Sequence, residues 1–123
     1  MLSTARLMAF AATTNAAVAR RFYEGVLGLR LVEDTPFALV FDVSGTPLRV
    51  QKVEQLSPQP FTVLGWQVAD IEASVDELRA RGVSFKEFPG MQQDERRIWS
   101  APGGARVAWF NDPDGNTLSL SQH

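Results

Sequence analysis

The sequence predicts an α+β fold in which two βαβββ modules form a curved mixed-sheet cleft. Three observations lead there. A strand, a capped helix and a glycine stop recur in the same order in both halves. Three short strand patterns follow each helix, and a glycine turn joins the last two strands of each copy. At 123 residues the chain has the length of a single domain, 1–123, with a first module over about 1–56 and a second over about 57–123.

In the first half, "RLMAFAATT" reads as a strand and Asn15 as the N-cap of a helix over "AAVARRFYEGVL". Val18, Phe22 and Val26 share one face of that helix, and Gly28 stops it. In the second half, "FTVLGWQVA" is the strand, Asp70 the cap and "IEASVDELRAR" the helix. Ile71, Val75 and Leu78 lie on its apolar face, and Gly82 ends it. Cap to glycine is 13 residues in one copy and 12 in the other. Each helix is followed by three strand candidates. They are "LRLVED", "FALVFDV" and "PLRVQKV" in the first copy, and "VSFKEF", "ARVAWFN" and "TLSLSQ" in the second. Ser44-Gly45 joins the last pair in one copy and Pro113-Asp114-Gly115 in the other. The longest irregular stretch, "PGMQQDERRIWSAPGG", is a candidate flap.

Alternation assigns the faces. Leu48, Val50, Leu118 and Leu120 point beneath the helices, whereas Arg49, Gln51, Ser119 and Ser121 point the opposite way, into the expected cleft.

Composition excludes several chemistries. A formal charge of -2 gives no broad basic field, so neither nucleic acid nor membrane is an expected partner. Cysteine is absent and the single histidine is the last residue, His123. Disulfides, thiolate sites and histidine-based catalysis therefore have almost nothing to be built from. The opening "MLSTARLMAF" has no basic leader and no sustained apolar run, and a cytoplasmic protein is expected.

The stretches "RFYEGVLGLRLV", "VADIEASVDELRARGV" and "FNDPDGNTLSL" together resemble the vicinal oxygen chelate superfamily. That group contains glyoxalase I, extradiol dioxygenases and bleomycin-resistance proteins, and the likeness runs over essentially the whole chain. The resemblance implies paired βαβββ modules around a cleft and, in the enzymes, one divalent metal held by the first and last strand of each module. Family spacing puts the first-strand ligand seven residues before the helix cap and the last-strand ligand four residues after the hairpin glycine. In this chain those positions are Met8, Val63, Arg49 and Ser119.

None of the four is a carboxylate or imidazole. A hard or borderline divalent ion needs several oxygen or nitrogen ligands, and a fixed cation at one corner repels it. A register error of one residue brings Gln51 or Gln67 closer, but amides alone make a feeble site. The expectation is no metal residue and no cofactor, which removes the Lewis acid that the family's lyases and dioxygenases use.

What is left is a ligand-binding cleft drawn from Met8, Phe10, Arg49, Gln51, Val63, Gln67, Trp99, Trp109, Ser119 and Ser121. Arg49 either faces that cleft, where it can hold an anion in bidentate fashion, or lies in a salt bridge with Asp42 or Glu54. Trp99 and Trp109 are candidates for a stacking wall. Parity puts Trp66 in the core, and Phe22 and Tyr23 on the sheet. "DERR" at 94–97 reads as a solvated loop unless it folds over the cleft and closes Arg96 or Arg97 on an anion. No histidine activates Ser119 or Ser121, which excludes a serine hydrolase. Asp42, Glu33 and Asp34 have no visible acid-base partner.

The leading expectation is a metal-free binding protein that sequesters a small anionic or aromatic molecule and acts as a homodimer. The alternatives are a divalent-metal-dependent lyase or dioxygenase, a metal-free enzyme with Arg49 as electrophile and a carboxylate as base, and a partner-binding protein whose sheet edge or cleft is a subunit contact.

Overall fold

A computed structural model describes all 123 residues. The chain divides into two compact units, Met1–Ser57 and Pro58–His123. Each holds one four-stranded mixed sheet, so the fold class is α+β.

In the first unit a short 3-10 turn at Leu2–Thr4 precedes β1 (Ala9–Thr13), α1 (Ala16–Arg20), β2 (Arg30–Asp34), β3 (Ala38–Val43) and β4 (Thr46–Lys52). The sheet order is β1-β4-β3-β2, with β1 parallel to β4 and the other pairs antiparallel. Asn15 caps α1 by accepting from Val18 N at 3.2 Å. The helix then widens into a π turn, Arg21–Val26, in which Leu27 N donates to Phe22 O. That turn changes the apolar face expected from regular spacing. Val18, Phe22 and Val26 are only half-buried, and Tyr23 is fully buried, 5.9 Å from the Phe41 ring. An inserted residue rotates everything after it, which a 3.6-residue period cannot anticipate. Ala11, Leu39, Phe41, Leu48 and Val50 complete this core. Burying each large side chain is worth roughly 1.5–3 kcal/mol.

The turn between β3 and β4 is two residues long. Ser44 and Gly45 both have positive φ, 48° and 88°, the geometry of a type I′ hairpin. Asp42 Oδ1 accepts from Gly45 N at 3.1 Å and braces it.

In the second unit β5 (Leu64–Gln67) leads to α2 (Ile71–Ala80), then β6 (Trp99–Ser100), β7 (Arg106–Asn111) and β8 (Thr117–Gln122). The order β5-β8-β7-β6 again has its parallel pair at one edge. Asp70 accepts from Ala73 N at 3.1 Å to cap α2, and the Gln122 side chain accepts from Ile71 N at 2.9 Å. Ile71, Val75, Phe85, Ile98, Ala108, Phe110, Leu118 and Leu120 are the buried apolar residues of this unit.

One expected strand is absent. "VSFKEF" forms only a bridge from Phe85 to Phe110 and a bond from Lys86 N to Trp109 O at 2.8 Å. Pro89 follows at once with no N–H to donate, and Gly90 turns away with φ 86°. The vacated edge of β7 is taken by β6, in register Trp99↔Val107.

The "DPDG" hairpin is built around Asp112. Its Oδ1 accepts from Asp114 N (3.0 Å) and Asn116 N (2.9 Å), and its Oδ2 accepts from Asn116 Nδ2 at 2.8 Å. Gly115 supplies φ 88°. No helix is long and apolar enough to cross a membrane.

Candidate functional site

Each sheet has one face under its helix and one open face, and the candidate residues lie on the open faces. In the first unit Phe10, Arg49 and Val40 form one cross-strand row, and Ala12, Gln51 and Ala38 the next. Phe10 is 50% exposed, an unusual position for a phenylalanine without a partner. Met8 lies one residue before β1 on the same side and is 42% exposed. Arg49 is half-buried and makes no ion pair. The acceptors considered for it are otherwise engaged or distant: Asp42 accepts from Arg30 at 3.2 Å, and Glu54 is exposed in the segment after β4.

In the second unit the rows are Gly65, Ser119 and Trp109, then Gln67, Ser121, Val107 and Trp99. The floor is low where Gly65 and Ser119 meet. A Cβ on Gly65 would come within 2.9 Å of Ser119 Oγ, so glycine is what lets this hydroxyl settle, only 8% exposed. Val63 precedes β5 and is 41% exposed.

Beside that floor rises an aromatic wall. The Trp99 and Trp109 rings are 6.1 Å apart at 37°, and Phe88 meets Trp109 edge-on at 5.3 Å and 80°. A depression of about 550 Å³ opens along it, lined by Phe88, Pro89, Gly90, Met91, Gln92 and Trp99. Trp66, paired with Leu120, lies on the helix side as parity requires.

The loop that closes this depression is held by Gln93. Its side chain accepts from Phe88 N (2.8 Å) and donates to Lys86 O (3.0 Å) and Arg97 O (2.8 Å). Sequence reading did not single out Lys86, Phe88, Met91, Gln92 or Gln93. A signal for two of them was present, since a core Phe85 in an extended segment puts Lys86 and Phe88 on the opposite face.

Arg96 and Arg97 are committed elsewhere. Arg96 donates to Asp76 at 2.9 and 3.1 Å and to Glu72 at 3.2 Å, which ties the "DERR" turn to α2. Arg106 joins the network at Glu72, 3.3 Å, and Arg97 pairs with Glu87 at 3.4 Å. The hydrogen bond from Arg96 holds the Asp76 carboxyl below its usual value, and the same bond raises Arg96.

The four positions that family spacing assigns to a metal test whether one fits. The offset is the same in both units: Arg49 and Ser119 sit opposite Phe10 and Gly65, each two residues beyond Met8 and Val63. A thioether, a guanidinium, an isopropyl group and one hydroxyl do not make a donor set for a divalent ion. No three His, Cys, Asp or Glu side chains come together as alternative ligands.

Comparison with known proteins gives a consistent placement. The model of the Glyoxalase/Bleomycin resistance protein/Dioxygenase superfamily matches residues 6–120. A search of curated proteins finds no match. Among solved structures, a superfamily member from Sphaerobacter thermophilus is 25% identical with a TM-score of 0.70, over 95% of this chain and 97% of that one. A lactoylglutathione lyase from Agrobacterium tumefaciens is 17% identical with a TM-score of 0.70, over 97% and 93%. The fosfomycin resistance protein FosX from Listeria monocytogenes is 13% identical with a TM-score of 0.73, over 98% and 93%. At the last two identities the likeness is one of fold.

Proposed function

The chain belongs to the Glyoxalase/Bleomycin resistance protein/Dioxygenase superfamily, and from that membership we propose that it is a small-molecule-binding member that works without the family-type divalent ion. The observation that carries this reading is the substitution of all four metal positions, Met8, Arg49, Val63 and Ser119, by groups that cannot act together as ligands. The scaffold is kept while the Lewis acid's place is lost. The second unit's open face offers an aromatic wall and a low polar floor, which suits capture of a small aromatic molecule, and the first unit's open face separately offers an uncommitted guanidinium.

The Arg49 guanidinium supports a second reading, a metal-free enzyme in which Arg49 takes over the electrophilic role of a metal. It is half-buried and unpaired, so a carboxylate or phosphate meeting it forms charge-assisted bonds without first breaking an ion pair.

The reading includes a cytoplasmic homodimer. β1 and β5 are edge strands of their own sheets and carry exposed apolar residues, Met8 and Phe10 beside one, Phe61 and Val63 beside the other. Light scattering should return about twice the 13.6 kDa chain mass.

The test of binding is a metabolite panel followed by tryptophan fluorescence, with native mass spectrometry on the purified protein. A saturable change with at least one compound, unaffected by chelator, is expected. If no compound in a broad panel gives such a change, the binding reading fails.

A further inference from the structure

We propose, on the basis of the small-molecule-binding reading, that the second unit's open face selects an aromatic anion, and that Lys86 is the residue that recognises its charge. The ligand class is an aryl carboxylate or a similar planar ring bearing one anionic group. Its ring lies against Trp99 along the wall formed with Trp109 and Phe88, and its anionic group reaches Lys86 Nζ.

Lys86 stands apart from every other cation of this unit. Arg79 donates to Glu95 O, Arg81 to Glu77, Arg96 to Asp76 and Glu72, and Arg106 to Glu72, while Arg97 pairs with Glu87. Lys86 has no oxygen acceptor for its ammonium. That group instead lies 5.6 Å from the centre of the Phe88 ring, over a residue that lines the depression. A cation over a ring at an accessible site is held more weakly than one in a charge-assisted hydrogen bond to a carboxylate. An arriving anion therefore displaces a weak contact.

The backbone beneath Lys86 is fixed on both sides. Its N–H donates to Trp109 O at 2.8 Å, and its carbonyl accepts from Gln93 Nε2 at 3.0 Å. The four-carbon stem is the mobile part, so the charge can adjust to the ligand while its base stays in register with the wall. Glu87, the adjacent carboxylate, is paired with Arg97 and does not compete. The depression, about 550 Å³, falls within the ~300–1,000 Å³ typical of small-molecule sites.

The experiment uses 2-naphthoate and its neutral counterpart 2-naphthylmethanol, titrated by tryptophan fluorescence and calorimetry. The full chain, Lys86→Met, Lys86→Gln and Trp99→Leu are compared, with circular dichroism and melting curves confirming that each variant is folded. For the unmodified protein, naphthoate should bind at least tenfold more tightly than the alcohol. In both Lys86 variants that preference should vanish while affinity for the alcohol is kept, and Trp99→Leu should weaken both probes. Equal affinity for the two probes overturns the proposal, as does a preference that survives in Lys86→Met. A non-aromatic ligand from the metabolite panel whose binding ignores Lys86 and Trp99 also overturns it, while leaving the broader binding reading intact. If neither probe nor any panel compound binds, both fall together.

Discussion

Replacing Asp112 by alanine should destabilise the second unit more than any other single change in its closing hairpin. The carboxylate is buried and accepts three hydrogen bonds, from the backbone N–H groups of Asp114 and Asn116 and from the Asn116 side chain. Asn116 is itself buried, so its N–H loses its acceptor with little access to water, at a cost of about 1–3 kcal/mol. Asp114 is half-buried and its N–H can find water, adding about 0.5–1 kcal/mol. The Asn116 side-chain amide loses its acceptor as well, which places the loss in the upper half of the range. The sum is about 3 kcal/mol, which for a chain of this length lowers the melting temperature by roughly 12 °C. Denaturant unfolding followed by far-ultraviolet circular dichroism measures it, with Pro113→Ala as the control because Pro113 is exposed and contributes about 0.5 kcal/mol through its fixed φ. A loss below about 1 kcal/mol for Asp112→Ala, or one no larger than that of Pro113→Ala, would refute the assignment of the hairpin's stability to this carboxylate.

Three further outcomes are expected. Arg49→Met should leave stability within about 0.5 kcal/mol, since no ion pair is lost. Ser44→Asn should stabilise the first unit by about 0.5 kcal/mol in denaturant titrations, because Ser44 holds φ 48° in a turn that favours asparagine there. The Asp76 carboxyl is lowered by its hydrogen bond to Arg96, so its contribution is present above the unfolded value of 3.8 and is lost as pH falls through the lower folded value. Unfolding curves of the protein and Asp76→Asn should therefore differ at neutral pH and converge in strong acid; a difference that grows on acidification would contradict the pairing.

The parts of the fold written in local chemistry were legible in the chain. Asn15 and Asp70 act as caps, Gly28, Gly82 and Gly115 take positive φ, and the alternation in "PLRVQKV" and "TLSLSQ" puts the leucines inside and Arg49 and Ser119 on the open faces. Caps and hairpin glycines fix local position within a residue, which is why these features could be read. The misreadings came where competition over distance decided the outcome. "VSFKEF" has strand composition, yet Pro89 ends its pairing with β7 and the remote Trp99–Ser100 takes the remaining edge. No local pattern marks that exchange. The π turn left Phe22 and Val26 only half-buried for a similar reason, since one extra residue in a helix leaves no trace in composition, while Tyr23 packs inward as expected. Trp99 and Trp109, expected as candidates for a stacking wall, lie with ring centres 6.1 Å apart, but Phe88 and Lys86 were hidden inside a strand assignment. Arg96 and Arg97 could not be placed from sequence, because their partners Asp76, Glu72 and Glu87 come together only in the folded unit.

On the proposed reading the family scaffold here binds its ligand without a divalent ion. The most direct test is elemental analysis of protein purified without chelator from medium containing zinc, manganese, iron and nickel. Less than about one-tenth of an ion per chain is expected, because Met8, Arg49, Val63 and Ser119 do not form a donor set. A near-stoichiometric divalent ion that survives gentle purification would contradict it.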